Sequence, residues 1–196
     1  MGGMERQAMK HMKPMARTGL AVAGAAAAVG VAAGIAARMG ARGLRVAAEP
    51  LAGDWLDTVK GQHLEILDLV ERAEGTKSTA TARRTALLGK IKVALTRHAI
   101  EEENVLYPLL RLEELAEQAH SLVDDHADVK AILYDLDQIP PDDSRWIERM
   151  KTLRRELETH MQLEETDIFP ALRLRLTPEE DSRLTVALRR EGRLLS

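Results

Sequence analysis

The sequence predicts an all-α fold: an up-down-up-down four-helix bundle with a short C-terminal helix and an Ala/Gly-rich N-terminal extension. Three observations predict it. Aromatic residues make up only 3% of the chain and β-branched runs are nearly absent, a composition of long helices rather than of sheets. From about residue 53 onward, apolar side chains recur at alternating steps of three and four, the spacing of a seam that faces other helices. Four such stretches are separated by short breaks, and short connections force neighbouring helices to run antiparallel. At 196 residues the chain is long enough for one sizeable core plus an extension.

Residues 1–50 read as a leader distinct from the rest of the chain. Residues 19–37 (GLAVAGAAAAVGVAAGIAA) carry no charge and are flanked by Arg6, Lys10, Lys13 and Arg17 on one side and Arg38, Arg42 and Arg45 on the other. The length suffices to span a bilayer, which takes about 20 apolar residues. The hydrophobicity, however, rests on Ala and Gly, with few large aliphatics to drive insertion. Two readings stay open: a membrane anchor or signal-type segment, and a flexible Ala/Gly leader or mis-called start. Met1, Met4, Met9, Met12 and Met15 surround His11, and clustered thioethers suit copper(I). A plain disordered or interfacial leader is the favoured reading of them.

Residues 51–172 carry the bundle, with helices expected at about 53–73, 79–108, 113–137 and 144–170. GTKST at 75–79 breaks the first pair, Pro108 is expected to close the second helix, QIPPDDS at 138–144 separates the third from the fourth, and Pro170 is expected to close the fourth. Residues 173–196 form a tail with a helix near 178–191. Thr177 is its cap, Pro178 its first residue, and Glu179 and Glu180 lie in its first turn.

The seams hold an anomaly. The first reads Leu56, Val59, His63, Ile66, Val70; the second Leu88, Ile91, Leu95, His98, Glu102, Val105, Leu109; the third Leu115, Ala119, Leu122, His126, Val129, Leu133, Leu136; the fourth Trp146, Met150, Leu153, Leu157, His160, Glu164, with Ile168 beyond. Four His and two Glu stand where a bundle wants Leu. In an antiparallel bundle the four imidazoles fall about 15 to 20 Å from one shared end, at about 1.5 Å per residue. The two Glu, one turn on, share their faces. Ionised carboxylates inside an apolar core are costly unless paired or bound to metal. Imidazoles supply nitrogen ligands and two Glu can each bridge a pair of cations, so a dinuclear centre is expected from His63, His98, Glu102, His126, His160 and Glu164. His120, about 240° round its helix from His126, should point away and be solvated.

The same anomaly is written as a repeat: RHAIEEENVLYP at 97–108 returns as THMQLEETDIFP at 159–170. Each copy would give one terminal nitrogen and one bridging oxygen. The absence of Cys removes disulfides, thiolate chemistry and cysteine-ligated clusters, leaving imidazole and carboxylate, which suit iron, manganese or zinc. A formal net charge of −3 gives no electrostatic pointer to nucleic acid, and no such partner is expected.

In the order His63, His98-x3-Glu102, His126, His160-x3-Glu164, with EEENVLYP and EETDIFP as helix ends, the sequence resembles the hemerythrin-like HHE cation-binding domain family over about residues 53–172. The resemblance implies two iron ions (Fe2+/Fe3+) with an oxo or hydroxo bridge, both Glu bridging, and a small diatomic ligand or peroxide as partner. It implies binding or reduction of oxygen, peroxide or nitric oxide; the alternatives are an iron- or redox-responsive regulatory module without turnover, and iron storage. Any enzyme activity would be a weak peroxide- or oxygen-reducing one. One departure stands out. Hemerythrin oxygen carriers place a second His four residues after the third-helix His, where this chain has Lys130. Glu101, Glu103, Glu165 or Tyr107 are candidates to complete the ligand shell, although a solvated helix face explains the three Glu as well. Tyr107 and Phe169 stand at matching ends of the repeats, either closing the bundle over the centre or simply capping its core. The expected location is cytoplasmic, with residues 19–37 as the one route to a membrane.

Overall fold

The computed structural model describes residues 53–195, and these form a helical bundle without strands. The expectations placed on residues 1–50, including the apolar segment 19–37, the Met cluster and His11, lie outside the described residues. Among the described residues no helix is long and apolar enough to cross a membrane.

Helix α1 (Trp55–Glu74) starts at a capping box, in which Asp54 accepts from the Asp57 backbone and the Asp57 side chain returns the bond. Helix α2 (Thr81–Glu101) comes next, and its far end departs from expectation. Pro108 does not close the helix. A widened π turn (Glu102–Leu106) carries the rod on into α3 (Tyr107–Leu112). The second repeat behaves identically: α5 (Ser144–Leu163) runs through a π turn (Glu164–Ile168) into α6 (Phe169–Arg173), past Pro170. In each turn the N–H of the aromatic before Pro reaches the carbonyl five residues back, Tyr107 to Glu102 and Phe169 to Glu164. A proline inside an α-helix has no hydrogen to give and its ring crowds the carbonyl one turn earlier. The wider turn takes up that conflict by adding one residue, so the helix survives. π turns of this kind concentrate at functional sites, and here each one begins on a seam glutamate.

The extra residue also moves the seam. Leu109, expected inward, is only partly buried, and Leu106, Tyr107 and Leu110 are fully buried instead. Helix α4 (Ala116–Gln138) and helix α7 (Pro178–Leu194) complete the described elements. The start of α7 is the capping box of Thr177 and Glu180 that its sequence announces.

Two apolar clusters fill the interior. One gathers Ile66, Val70, Leu88, Ile91, Leu95, Val129, Leu133, Trp146, Met150, Leu153 and Leu157. The other gathers Trp55, Leu56, Val59, Val105, Leu106, Tyr107, Leu110, Leu115, Ala119, Leu122, Ile168, Phe169, Leu184 and Leu188. On every long rod the seam passes from one cluster to the other across its histidine. A polar layer therefore separates two dry ones. Helix α7 belongs to the second cluster through Leu184 and Leu188, and it is tied to the start of α1 by Thr185 Oγ1 accepting from Trp55 N (3.1 Å) and Asp181 Oδ1 accepting from Trp55 Nε1 (2.7 Å). Beyond the first cluster, buried Arg84 clamps the α1–α2 connection to the α4–α5 connection. It donates to Thr76 Oγ1 (2.9 Å), Thr76 O (3.0 Å) and Pro141 O (2.5 Å) while lying over the Trp146 ring.

Candidate metal centre

Between the clusters, the four seam histidines and two seam glutamates converge. His63, His98, His126 and His160 are each 5% exposed or less, and Glu102 and Glu164 are fully buried. One nitrogen or oxygen from each of His63, His98, Glu102 and Glu164 lies within 4.8 Å of the others, and the same holds for Glu102, His126 and His160. Every imidazole turns Nε2 inward. His98 Nε2 lies 3.3 Å from Glu102 Oε2, His126 Nε2 3.5 Å from the same oxygen, His160 Nε2 3.5 Å from Glu164 Oε2, and His63 Nε2 3.4 Å from Glu164 Oε2 and 4.0 Å from Glu102 Oε1. Glu102 thus faces three of the rings, and Glu164 two.

Behind each ring stands a second polar group. Nδ1 of His63 donates to Glu165 Oε1 (2.7 Å), Nδ1 of His126 to Glu103 Oε1 (2.9 Å), and Nδ1 of His160 to Asp125 Oδ2 (3.2 Å). Carboxylates only accept, so the hydrogen must sit on Nδ1 and a neutral ring aims its Nε2 lone pair into the layer. The fourth ring, His98, meets Gln62 Oε1 instead, at 3.1 Å. The pairing tracks the repeat: the residue after each seam Glu holds a single histidine, and the residue before each single histidine holds a repeat histidine. Gln62 and Asp125 do not stand out in the sequence. Their signal there is position alone, one residue before His63 and one before His126. Glu103 and Glu165, left open between ligand and solvated face, are neither: both are partly buried and hold imidazoles from behind.

Tyr107 enters the layer as well. Its hydroxyl lies 2.9 Å from Glu164 Oε1, 3.2 Å from Glu102 Oε2 and 3.2 Å from His126 Nε2. Burial, reinforced by the two carboxylates, holds its phenol well above its ordinary range, so it remains a donor. Its counterpart Phe169 has no hydroxyl and packs edge-on against Trp55, with ring centroids 5.7 Å apart. The matched aromatics therefore differ: one serves the centre, the other its apolar lid. Lys130 points outward, 3.3 Å from Glu103 Oε1, and Glu101 is buried against Arg97 and Gln62, so neither faces the layer. His120 is exposed, as its helical angle requires.

Without cations, protons must balance the layer. Burial and the nearby Glu164 charge push Glu102 above its usual range. Burial alone would lower His63 and His126, yet the facing carboxylates outweigh it and raise both, His126 to about 9. His98 is driven the other way, first by burial and then by the other three rings. Even so, the polar atoms are not satisfied. Nε2 of His63, His98 and His160, Oε1 of Glu102 and Oε2 of Glu164 are buried without a hydrogen-bond partner. Five orphaned ligand atoms around one buried layer are a severe cost. Cations there would satisfy all five, so the residues fit a metal centre.

The domain profile described as the hemerythrin HHE cation binding domain matches residues 55–187. The chain belongs to the hemerythrin HHE family. The family binds metal cations, typically iron, and the histidines and glutamates of this HHE domain cluster where they could hold them. The chain is also similar to a DNA nickase of Nostoc sp. (strain PCC 7120 / SAG 25.82 / UTEX 2576), 32% identical over 92 residues, which are 47% of this chain and 26% of that protein. The HHE chain therefore spans about a quarter of that relative's length. No solved structure matches it significantly.

Proposed function

We propose that the protein is a non-haem di-iron protein that binds or reduces a small oxidant such as oxygen, peroxide or nitric oxide. The observation that carries this reading is the convergence of five unpartnered, buried ligand atoms in a layer that each long rod crosses once. In the up-down-up-down arrangement that the short connections imply, His63 and His98 would hold one iron and His126 and His160 the other. Glu102 and Glu164 would bridge them, with an oxo or hydroxo group as third bridge. When bound, iron supplies one-electron redox chemistry and open coordination positions for a small ligand.

The chain's own residues do the rest. Glu165, Gln62, Glu103 and Asp125 hold the imidazole hydrogens on the outer nitrogens and so keep all four inner lone pairs available. Two nitrogens and a share of two carboxylates give each iron about four protein ligands, and Lys130 adds none. The shell is therefore left open, which suits reaction with a small molecule better than reversible carriage. Among the described residues Tyr107 is the one hydroxyl donor inside the layer, and it can pass hydrogen-bond support between Glu164 and Glu102 as charge changes. The apolar clusters on both sides exclude bulk water.

The docking of α7 beside the first π turn favours one second reading, a metal- or redox-responsive module whose state is read by a partner. The nickase activity named for the Nostoc relative is not carried over, since the aligned part is a small fraction of that protein. The test is to load metal-free chain with ferrous iron under anaerobic conditions and then add oxygen, peroxide or nitric oxide. Oxo-bridge charge-transfer absorption together with consumption of the oxidant supports the first reading. Absorption without turnover favours the responsive module, and the absence of both signals contradicts a di-iron centre of any kind.

A further inference from the structure

The repeat is symmetric in its ligands but not in what stands behind them. Asp125, behind His160, is 40% exposed, and the residue that precedes Glu164 is the apolar Leu163. In the other half, the residue that precedes Glu102 is Glu101, which is 1% exposed. Its carboxylate accepts from Arg97 Nε (2.8 Å) and from Gln62 Nε2 (2.7 Å). Because a carboxylate cannot donate, the Gln62 amide is forced to turn its nitrogen toward Glu101 and its oxygen toward His98. That oxygen accepts from His98 Nδ1 at 3.1 Å and fixes the His98 hydrogen on the outer nitrogen. A carboxylate at position 62, like the one at 125, would meet Glu101 charge to charge. An amide has a donor for one neighbour and an acceptor for the other.

Helix α7 closes the chain of contacts. It lies so near that a Cβ on Gly192 would fall 2.6 Å from Glu101 Oε1 and 3.0 Å from Arg97 Nη2. Next to it, Glu191 Oε1 accepts from Asn104 Nδ2 (2.8 Å) in the π turn. Helix α7 packs against α1, α2 and the first π turn, whereas Asp125, behind His160 in the other half, stays 40% exposed.

We propose that Gly192, Glu101 and Gln62 form a relay that couples the C-terminal helix to the His63/His98 cation alone, with Gln62 as the positioning residue for His98. The relay rests on the dinuclear reading given above. Removing a group that orients a metal-bound histidine costs roughly 10–100-fold in metal affinity. Coupling by equilibrium binding is reciprocal, so filling that subsite must in turn hold α7 more firmly.

The experiment is a titration of the metal-free full chain with cobalt(II), read by visible absorption. Gln62→Leu and Gly192→Ala are expected to weaken one of the two binding steps by about 10-fold or more and leave the other unchanged. Asp125→Asn should act on the opposite step. Hydrogen exchange of α7 should slow on metal loading in the wild type and not in Gln62→Leu. Gln62 is only partly buried, so that variant keeps the test sound if Gly192→Ala loosens α7 as a whole. A wild type that takes up two cobalt ions with variants that match it in both steps, or exchange in α7 indifferent to metal, overturns the relay and spares the centre. A wild type that takes up one or none overturns the dinuclear reading itself.

Discussion

Tyr107→Phe isolates a single hydroxyl in the most buried part of the molecule. The ring is fully buried, and the hydroxyl donates to Glu164 Oε1 at 2.9 Å. Phe keeps the packing against the second apolar cluster, so the change is close to a deletion of one hydrogen bond. A hydrogen bond to a charged group is worth about 1.5–3 kcal/mol, and here its loss leaves a buried carboxylate oxygen bare. For a chain of this size, about 2–4 °C of Tm corresponds to each kcal/mol. The metal-free variant should therefore melt about 3–12 °C below the metal-free wild type by calorimetry or circular dichroism. Loaded with iron, the same carboxylate is satisfied by cations, and the difference should shrink. An unchanged Tm in the metal-free form would refute the reasoning. So would a larger loss in the loaded form, which would make Tyr107 a ligand instead of a donor.

The remaining expectations concern the groups around the layer. Glu103→Gln and Glu165→Gln should each weaken one cation by about 10–100-fold in a metal titration, by loosening His126 and His63 respectively. The pH dependence comes from His126, whose folded pKa of about 9 exceeds its ordinary 6.5. Its proton stabilises the metal-free fold fully below pH 6.5 and is lost as pH rises through about 9. The metal-free Tm should accordingly fall across that interval while the loaded Tm holds, and parallel curves would contradict this. Arg84→Ala removes a clamp remote from the layer. It should destabilise loaded and metal-free protein alike by about 2–4 kcal/mol in denaturant unfolding, with metal affinity unchanged.

Much of this molecule is legible in its sequence because helical spacing is rigid. A residue three or four from its neighbour on a seam has nowhere else to point, so His63, His98, His126 and His160 can be brought to one level by counting alone. The π turns cannot be counted. They depend on how a proline is accommodated inside a packed rod, and the chain resolves that conflict by widening a turn instead of ending the helix. That choice rotates Tyr107 into the layer and moves burial from Leu109 to Leu106 and Leu110. The groups behind the imidazoles are hidden for a different reason. Glu165, Gln62, Glu103 and Asp125 each serve a histidine on another helix, and contacts between helices leave no period in a single sequence. The asymmetry between Gln62 and Asp125 becomes meaningful only once Glu101 and Gly192 are seen beside one of them.

Six buried side chains holding two cations is the claim on which the rest depends. Equilibrium dialysis of the metal-free chain against ferrous iron, without oxygen, measures this most directly. It should give two irons per wild-type chain and fewer than two for Glu102→Gln and for Glu164→Gln. A wild-type count of one or none, or a count of two that survives both substitutions, would contradict it.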